Sequence, residues 1–483
     1  MATSAGKGST APAVEPDAAD PTVDTMSGSD ALLWTISTDP VMRPTIVAVM
    51  ILEGAPSWSE VRTRVGALTE ALPRLRSRAM SRGPGRMRAQ FVADAAFDLD
   101  LHLRRVRVAG SGGRRHVLDM AQTMATSGFD PALPLWEAVL IEGLDGGEAA
   151  LVLKVHHALI DGVGGLAALA ALFDAPEAGP GDATTATAPA LVRDGRDGRD
   201  GRDGTEGRAG TPKLRAEDLP EAVKFVDDAL DAARHPVRTL GRLAAVGTSV
   251  ARLMAPAGRP VSPIMQGRSF RRHVEVVDVP VADLRRAARG WQGTLNDVFV
   301  ASVVRGLALY HEQHGTASTG FRALMPVNVR NPGDRTAGNH FVPARFVIPV
   351  HTDLAECVAE VQRLTGAWKQ APGLVLSDVM ANGLSTLPAP VARAVWSSML
   401  LGNDFCITNV PGPPFPVSID GALVRALYAV SPPSGAAFNA SLVSMAERAC
   451  VALTVDPAAV PDSAKLAGCI DDGFAEVCSV RPD

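Results

Sequence analysis

Apolar positions along the chain fall into runs of two periods. Thr45 to Leu52 is continuously apolar and β-branched, the pattern of a strand buried on both faces. Trp58 to Leu72 has helical spacing and stops at Pro73, whose ring disfavours helix in the residue before it. Ala149 to His157 is a second strand-like run, ending at two histidines and a glycine-rich turn. Leu166 to Phe173 then predicts a buried helix. Further on, helices are expected between Glu217 and Met254 and from Asn296 to His311. Strands are expected at Val274 to Val279, Phe341 to Val350, Phe405 to Val410 and Ala449 to Val455. Strands and helices interleave throughout, which predicts an α/β (α+β) fold.

Two stretches break the pattern. Residues 1–25 are rich in Ala, Pro, Thr, Asp and Gly, lack a signal-peptide core, and are expected to be a disordered tail. Residues 193–204 repeat Arg-Asp-Gly four times within a segment, 176–211, that has almost no large apolar residues. Such sequence buries too little surface to offset its ordering entropy, so a disordered linker is expected. It separates an N-terminal lobe, 26–175, from a C-terminal lobe, 212–483.

The net charge of −5, with no contiguous basic patch, argues against nucleic acid as a partner. The five cysteines are far apart and form no C-x-x-C, which fits a reducing compartment and speaks against a zinc site. No apolar run approaches the roughly 20 residues of a membrane span.

The chain contains no G-x-S-x-G, no P-loop and no H-E-x-x-H. His311 and His314 are three apart at an expected helix end, where a solvated terminus is a better reading than a metal site. His156-His157 is a stronger candidate. Neighbours on a strand face opposite ways, so one ring can face a cleft while the other packs. Imidazole titrates near neutrality and suits a proton-accepting role. Asp161 and Gly162 follow at the turn, Gly162 tolerating unusual backbone angles and Asp161 suited to anchoring the turn through an arginine.

His156-His157-x-x-x-Asp161-Gly162 resembles the HHxxxDG motif of the coenzyme A-dependent acyltransferases. Its neighbours resemble the bacterial wax ester synthase/diacylglycerol acyltransferase group in particular. These are Ser29-Asp30-Ala31, Phe97-Asp98-x-x-x-His102, Pro134-Leu135-Trp136-Glu137, Asn296-Asp297, Arg322 to Arg330 with Gly338-Asn339, and Asn409 to Pro413. They occur in family order between Met26 and Asp462. Departures are Met445 after Ser444, and His340-Phe341 after Asn339; they leave the acceptor open.

The resemblance implies two lobes of the chloramphenicol acetyltransferase type with a tunnel between them. It implies acyl-CoA as co-substrate, no bound cofactor or metal, and a lipid alcohol as acceptor. His157 would be the base, with His156 and Asp161 completing the catalytic motif. Gly162, Pro134, Leu135, Trp136, Asn296, Asp297 and Asn409 would bind substrate or support the motif. Bland readings stand beside these: Trp136 as core, Asn409 as a strand-to-turn junction, and Asp297, three residues after Thr294, as a helix cap. The expected activity is acyl transfer to diacylglycerol or a fatty alcohol. The expected location is cytoplasmic, with contact to a membrane or lipid-inclusion surface left open. Transfer to a specialised-metabolite hydroxyl or amine, and a catalytically silent lipid-binding scaffold, remain alternatives.

Overall fold

The computed structural model describes residues 23–81, 89–110, 112–160, 165, 168–174, 255–328, 339, 341–369, 377–385 and 387–479. The N-terminal segment runs β1 (Val23–Thr25), α1 (Gly28–Ile36), β2 (Thr45–Glu53), α2 (Trp58–Ala71), β3 (Ser77–Met80), β4 (Gln90–Ala93), β5 (Leu103–Arg107), α3 (Arg114–Thr126), β6 (Trp136–Glu142) and β7 (Ala149–His156). The C-terminal segment opens with β8 (His273–Pro280), α4 (Val281–Gly290), α5 (Leu295–Gln313), β9 (Gly320–Asn328), β10 (Phe341–Pro349), α6 (Leu354–Lys369), α7 (Ser377–Ser385) and α8 (Ala389–Leu400). It closes with β11 (Phe405–Pro411), β12 (Ser418–Ile419), β13 (Ala422–Val430), β14 (Phe438–Met445), β15 (Arg448–Val455) and α9 (Ser463–Cys478).

Each segment is built around a six-stranded sheet. One has the order β12-β13-β2-β7-β6-β5, the other β10-β9-β11-β14-β15-β8. The first is completed by two strands from the far side of the expected linker: β13 pairs antiparallel with β2, and β12 with β13. The two lobes therefore share chain as well as surface.

β7 is buried at every residue because both faces of its sheet are covered. Leu151, Leu153 and Val155 join the core under α1 and α2, while Ala150 and Val152 join the core under α3. Lys154, also on β7, has no exposed surface. Its ammonium donates to Ser127 Oγ at 2.9 Å, Gly128 O at 2.7 Å and Glu137 Oε1 at 3.0 Å, and lies 4.3 Å from the Phe129 ring centre. Full pairing is what lets a cation remain in this layer.

One expectation needs correction. Val23–Thr25 lie in the expected disordered tail but form β1, because they pair with β4, the middle strand of a small sheet of order β1-β4-β3, and Arg74 holds Asp24 at 2.6 Å. Of Leu166 to Phe173, expected to be a helix, the described residues Ala168 and Leu169 are helical and a short 3-10 turn, Ala170–Leu172, closes them. The linker at 176–211 and the helices expected between Glu217 and Met254 lie outside the described residues. All five cysteines are free and buried. No helix among the described residues is long and apolar enough to cross a membrane.

The C-terminal lobe's helices touch backbone to backbone where α5 crosses α9. A Cβ on Gly473 would stand 2.4 Å from Ser302 O, and one on Gly306 would stand 2.6 Å from Ile470 Cα. Gly473→Val is expected to lower stability by about 1–3 kcal/mol or more, measured by urea denaturation, because neither backbone can yield cheaply.

Candidate active site

The pleat at the end of β7 sends the two histidines to different places. His156 is 1% exposed, and both its ring nitrogens are engaged. Nδ1 accepts the Ala158 backbone N–H at 3.1 Å. The proton is therefore on Nε2, 2.6 Å from Ser37 Oγ, and the Ser37 hydroxyl in turn donates to Leu33 O at 2.9 Å. Burial, reinforced by the charge of His157, lowers the His156 imidazole to about 3. His156 is thus a neutral strut that holds the turn after it.

His157 lines a cavity of about 220 Å³ between the two sheets. The N-terminal lobe contributes Ile46, Leu153 and Val155 to its wall; the C-terminal lobe contributes Leu324, Pro343 and Trp396. Among the described residues, the other titratable side chain on the wall is Cys406, whose thiol burial pushes up to about 12. A thiolate is therefore suppressed there. The Trp396 indole N–H is buried without an acceptor.

His157 is fixed through its backbone. Its N–H donates to Pro44 O at 2.9 Å, and its carbonyl accepts from Asn339 Nδ2 at 2.7 Å. Asn339 belongs to the C-terminal segment. Its backbone N–H and Nδ2 also donate to Asp30 Oδ1, at 3.1 and 2.7 Å. Arg74 Nη1 meets Asp30 Oδ2 at 3.2 Å and reaches Ala158 O at 3.5 Å. Asp30 is wholly buried and Asn339 is 1% exposed, so this clamp joins both lobes to the histidine turn out of reach of water.

The remaining expected residues divide. Asn409 lies on the cavity wall, as His157 does. Pro134, Leu135 and Trp136 do not, but Leu135 O accepts the His156 N–H at 3.0 Å, and Trp136 donates its indole N–H to Leu75 O at 2.7 Å. Asp297 closes a capping box with Thr294 at the start of α5 and accepts from Thr365 at 2.8 Å. Asn296, next to it, sits 3.8 Å from Met325 Sδ. Neither lines the cavity. Asp161 and Gly162 lie outside the described residues. His311 pairs with Ser262 at 2.8 Å and His314 with Asp462 at 3.1 Å, so the two rings do not converge. Among the described residues no group of three or more metal-capable side chains occurs.

The sequence matches the wax ester synthase/diacylglycerol acyltransferase catalytic domain over residues 26–299 and the WS/DGAT C-terminal domain over 337–477. The chain belongs to the wax ester synthase/diacylglycerol acyltransferase family. A putative diacylglycerol O-acyltransferase of Mycobacterium tuberculosis is 30% identical over 464 residues, covering 95% of this chain and 92% of that protein. Another from the same species is 26% identical over 461 residues, covering 92% and 94%. A wax ester synthase/diacylglycerol acyltransferase from Marinobacter aquaeolei VT8 superposes with a TM-score of 0.57 at 19% identity, over 94% of this chain and 98% of that one. The first condensation domain of the CDA synthetase superposes with a TM-score of 0.60 at 16% identity, over 96% and 98%. These likenesses bear out the expected two-lobed α/β fold of this family member.

Sequence reasoning did not assign roles to Ser37, Asp30, Arg74 or Asn339. Asp30 and Asn339 stood inside stretches that resemble the family, but nothing in the sequence paired them across 309 positions.

Asn339→Ala removes the side-chain amide that donates to both the Asp30 carboxylate and the His157 carbonyl, leaving Asp30 with the backbone N–H of residue 339 and Arg74. It is expected to cost about 1–3 kcal/mol in urea denaturation and to lower kcat for the family's reaction. A pH dependence follows from His156. The unfolded imidazole takes up a proton as pH falls below 6.5, while the folded one resists until about 3. Stability should therefore fall with pH through that window, by up to about 1.4 kcal/mol per unit from this group. His156→Gln should flatten the slope, read as denaturation midpoints between pH 4 and 6.

Proposed function

We propose that the chain transfers a long-chain acyl group from coenzyme A to diacylglycerol or a fatty alcohol, with His157 as general base. The observation that carries this reading is the His157 imidazole, the one histidine among the described residues that line a mostly apolar cavity between the lobes. Names of the relatives support the acceptor class. Apolar walls suit a lipid, since each buried CH₂ contributes about 0.8 kcal/mol.

His157 takes the hydroxyl proton as the acceptor oxygen forms a bond to the thioester carbonyl carbon. The tetrahedral oxyanion needs a fixed donor, and the unpaired Trp396 N–H on the same wall supports a place for that residue. The C–S bond then breaks, and the thiolate recovers the proton from His157. No acyl-enzyme is required, consistent with a Cys406 thiol held far from ionisation.

Contact with a membrane or lipid-inclusion surface is part of the proposal. α8 lines the cavity with Trp396 and Leu400, while nearby Leu387, Val391 and Leu401 are exposed. Apolar residues exposed at both ends of a helix that lines the cavity suit a lipid surface.

Radiolabelled palmitoyl-CoA offered with diacylglycerol, hexadecanol and a polar alcohol tests the acceptor. Labelled triacylglycerol or wax ester supports the proposal, whereas ester from the polar alcohol alone contradicts it. His157→Ala should lower turnover about 10²–10⁴-fold with an unchanged circular dichroism spectrum. Near-native turnover in that variant would remove His157 as the base.

A further inference from the structure

The floor of the cavity in the C-terminal lobe is the antiparallel pair β9 and β10. Its register sets Pro326 opposite Pro343, Leu324 opposite Arg345, and Arg322 opposite Val347. Opposed residues share a face, and so do residues two apart on one strand. Pro326, Leu324 and Pro343 line the cavity, while Phe321, Ala323, Ala344 and Phe346 fill the core behind it. Arg322 and Arg345 therefore stand on the cavity face, with Arg322 about 7 Å beyond Leu324 along the strand. Val347, opposite Arg322, is 42% exposed, so this end of the floor reaches solvent.

The two guanidinium groups stand close together. Burial, and then the charge of Arg322, hold Arg345 below its ordinary value. Arg345 Nη1 donates to Met399 O at 2.8 Å, which ties it to α8. Arg322 is less satisfied. Its Nη1 is buried with no hydrogen-bond partner, and no carboxylate among the described residues pairs with it. The nearby Asp404 carboxylate is occupied by the backbone N–H groups of Val261, Ser262 and Arg322 itself. Other buried arginines show the contrast: Arg268 donates to four carbonyls, on Gly435, Met265, Gly267 and Asn403. Two adjacent cations with an unused donor, at the open end of an apolar channel, repel each other unless an anion joins them.

We propose that Arg322 and Arg345 seat the phosphate groups of coenzyme A, so that the acyl-CoA enters over the β9–β10 floor with its thioester directed inward towards His157. This rests on the acyl-CoA-dependent reading above. It adds the direction of entry and the residues that recognise the polar end of that substrate. A lipid phosphate offers the same chemistry at the same opening, and the test separates the two.

Titration calorimetry with coenzyme A and with pantetheine, which lacks the phosphates, gives a readout independent of turnover. The native protein should bind coenzyme A at least about tenfold more tightly than pantetheine, and more weakly as salt rises. Arg322→Gln should remove that preference, Arg322→Lys should restore part of it, and pantetheine affinity should change little. In turnover assays Arg322→Gln should raise KM for palmitoyl-CoA about tenfold, with a much smaller change in kcat. Equal loss for both ligands would assign Arg322 a structural role and overturn the proposal, as would an unchanged preference. If the variant instead loses only binding to phosphatidylglycerol vesicles, the seat belongs to a lipid headgroup and the coenzyme A assignment fails. Coenzyme A bound with the expected preference, but no ester formed with any acceptor, would leave the seat standing and sink the acyltransferase reading alone.

Discussion

A single buried carboxylate ties this molecule together. Asp30 receives two hydrogen bonds from Asn339 and a third from Arg74, and these partners also hold the carbonyls of His157 and Ala158. An ionised carboxylate without water is costly unless every lone pair is met, so the three groups must keep their places together. The His157 turn is then fixed by main-chain contacts that come from both lobes. The place of the His157 imidazole on the cavity wall therefore does not depend on bonds made by the ring alone.

Polar groups of the interior differ in whether the fold itself meets them. His156, Lys154 and Asp297 have their partners within the fold and stabilise a turn, a sheet layer and a helix end respectively. Trp396 Nε1 and Arg322 Nη1 lack a partner, and each lies on or beside the cavity. Unmet donors cost stability in the empty protein, and a bound substrate can recover that cost. The wall between them is mostly apolar, which matches a long hydrocarbon flanked by a reactive carbonyl and a charged carrier.

Much of this was legible in the sequence, for identifiable reasons. β2 and β7 were visible as apolar runs because both faces of their sheet are covered. The split of His156 from His157 followed from the two-residue period of a strand. The Thr294–Asp297 cap followed from its spacing. What stayed hidden depends on pairings between distant segments. Asp30 and Asn339 meet across 309 positions, and the two strands that complete the N-terminal sheet, β12 and β13, come from residues 418–430. Lys154 interrupts an apolar run in sequence, and only its three partners explain its burial. Arg322 and Arg345 share a face only once the β9–β10 register is known.

The central claim is that a thioester carbonyl and an acceptor hydroxyl meet at His157. A crystal structure with an uncleavable palmitoyl-CoA analogue, a methylene ketone in place of the thioester, tests it most directly. The account predicts the alkyl chain within the cavity and the ketone carbon beside His157. Between them should remain room for a hydroxyl oxygen within about 3 Å of both. An analogue bound with its carbonyl far from that ring, or with its chain outside the cavity, would contradict it.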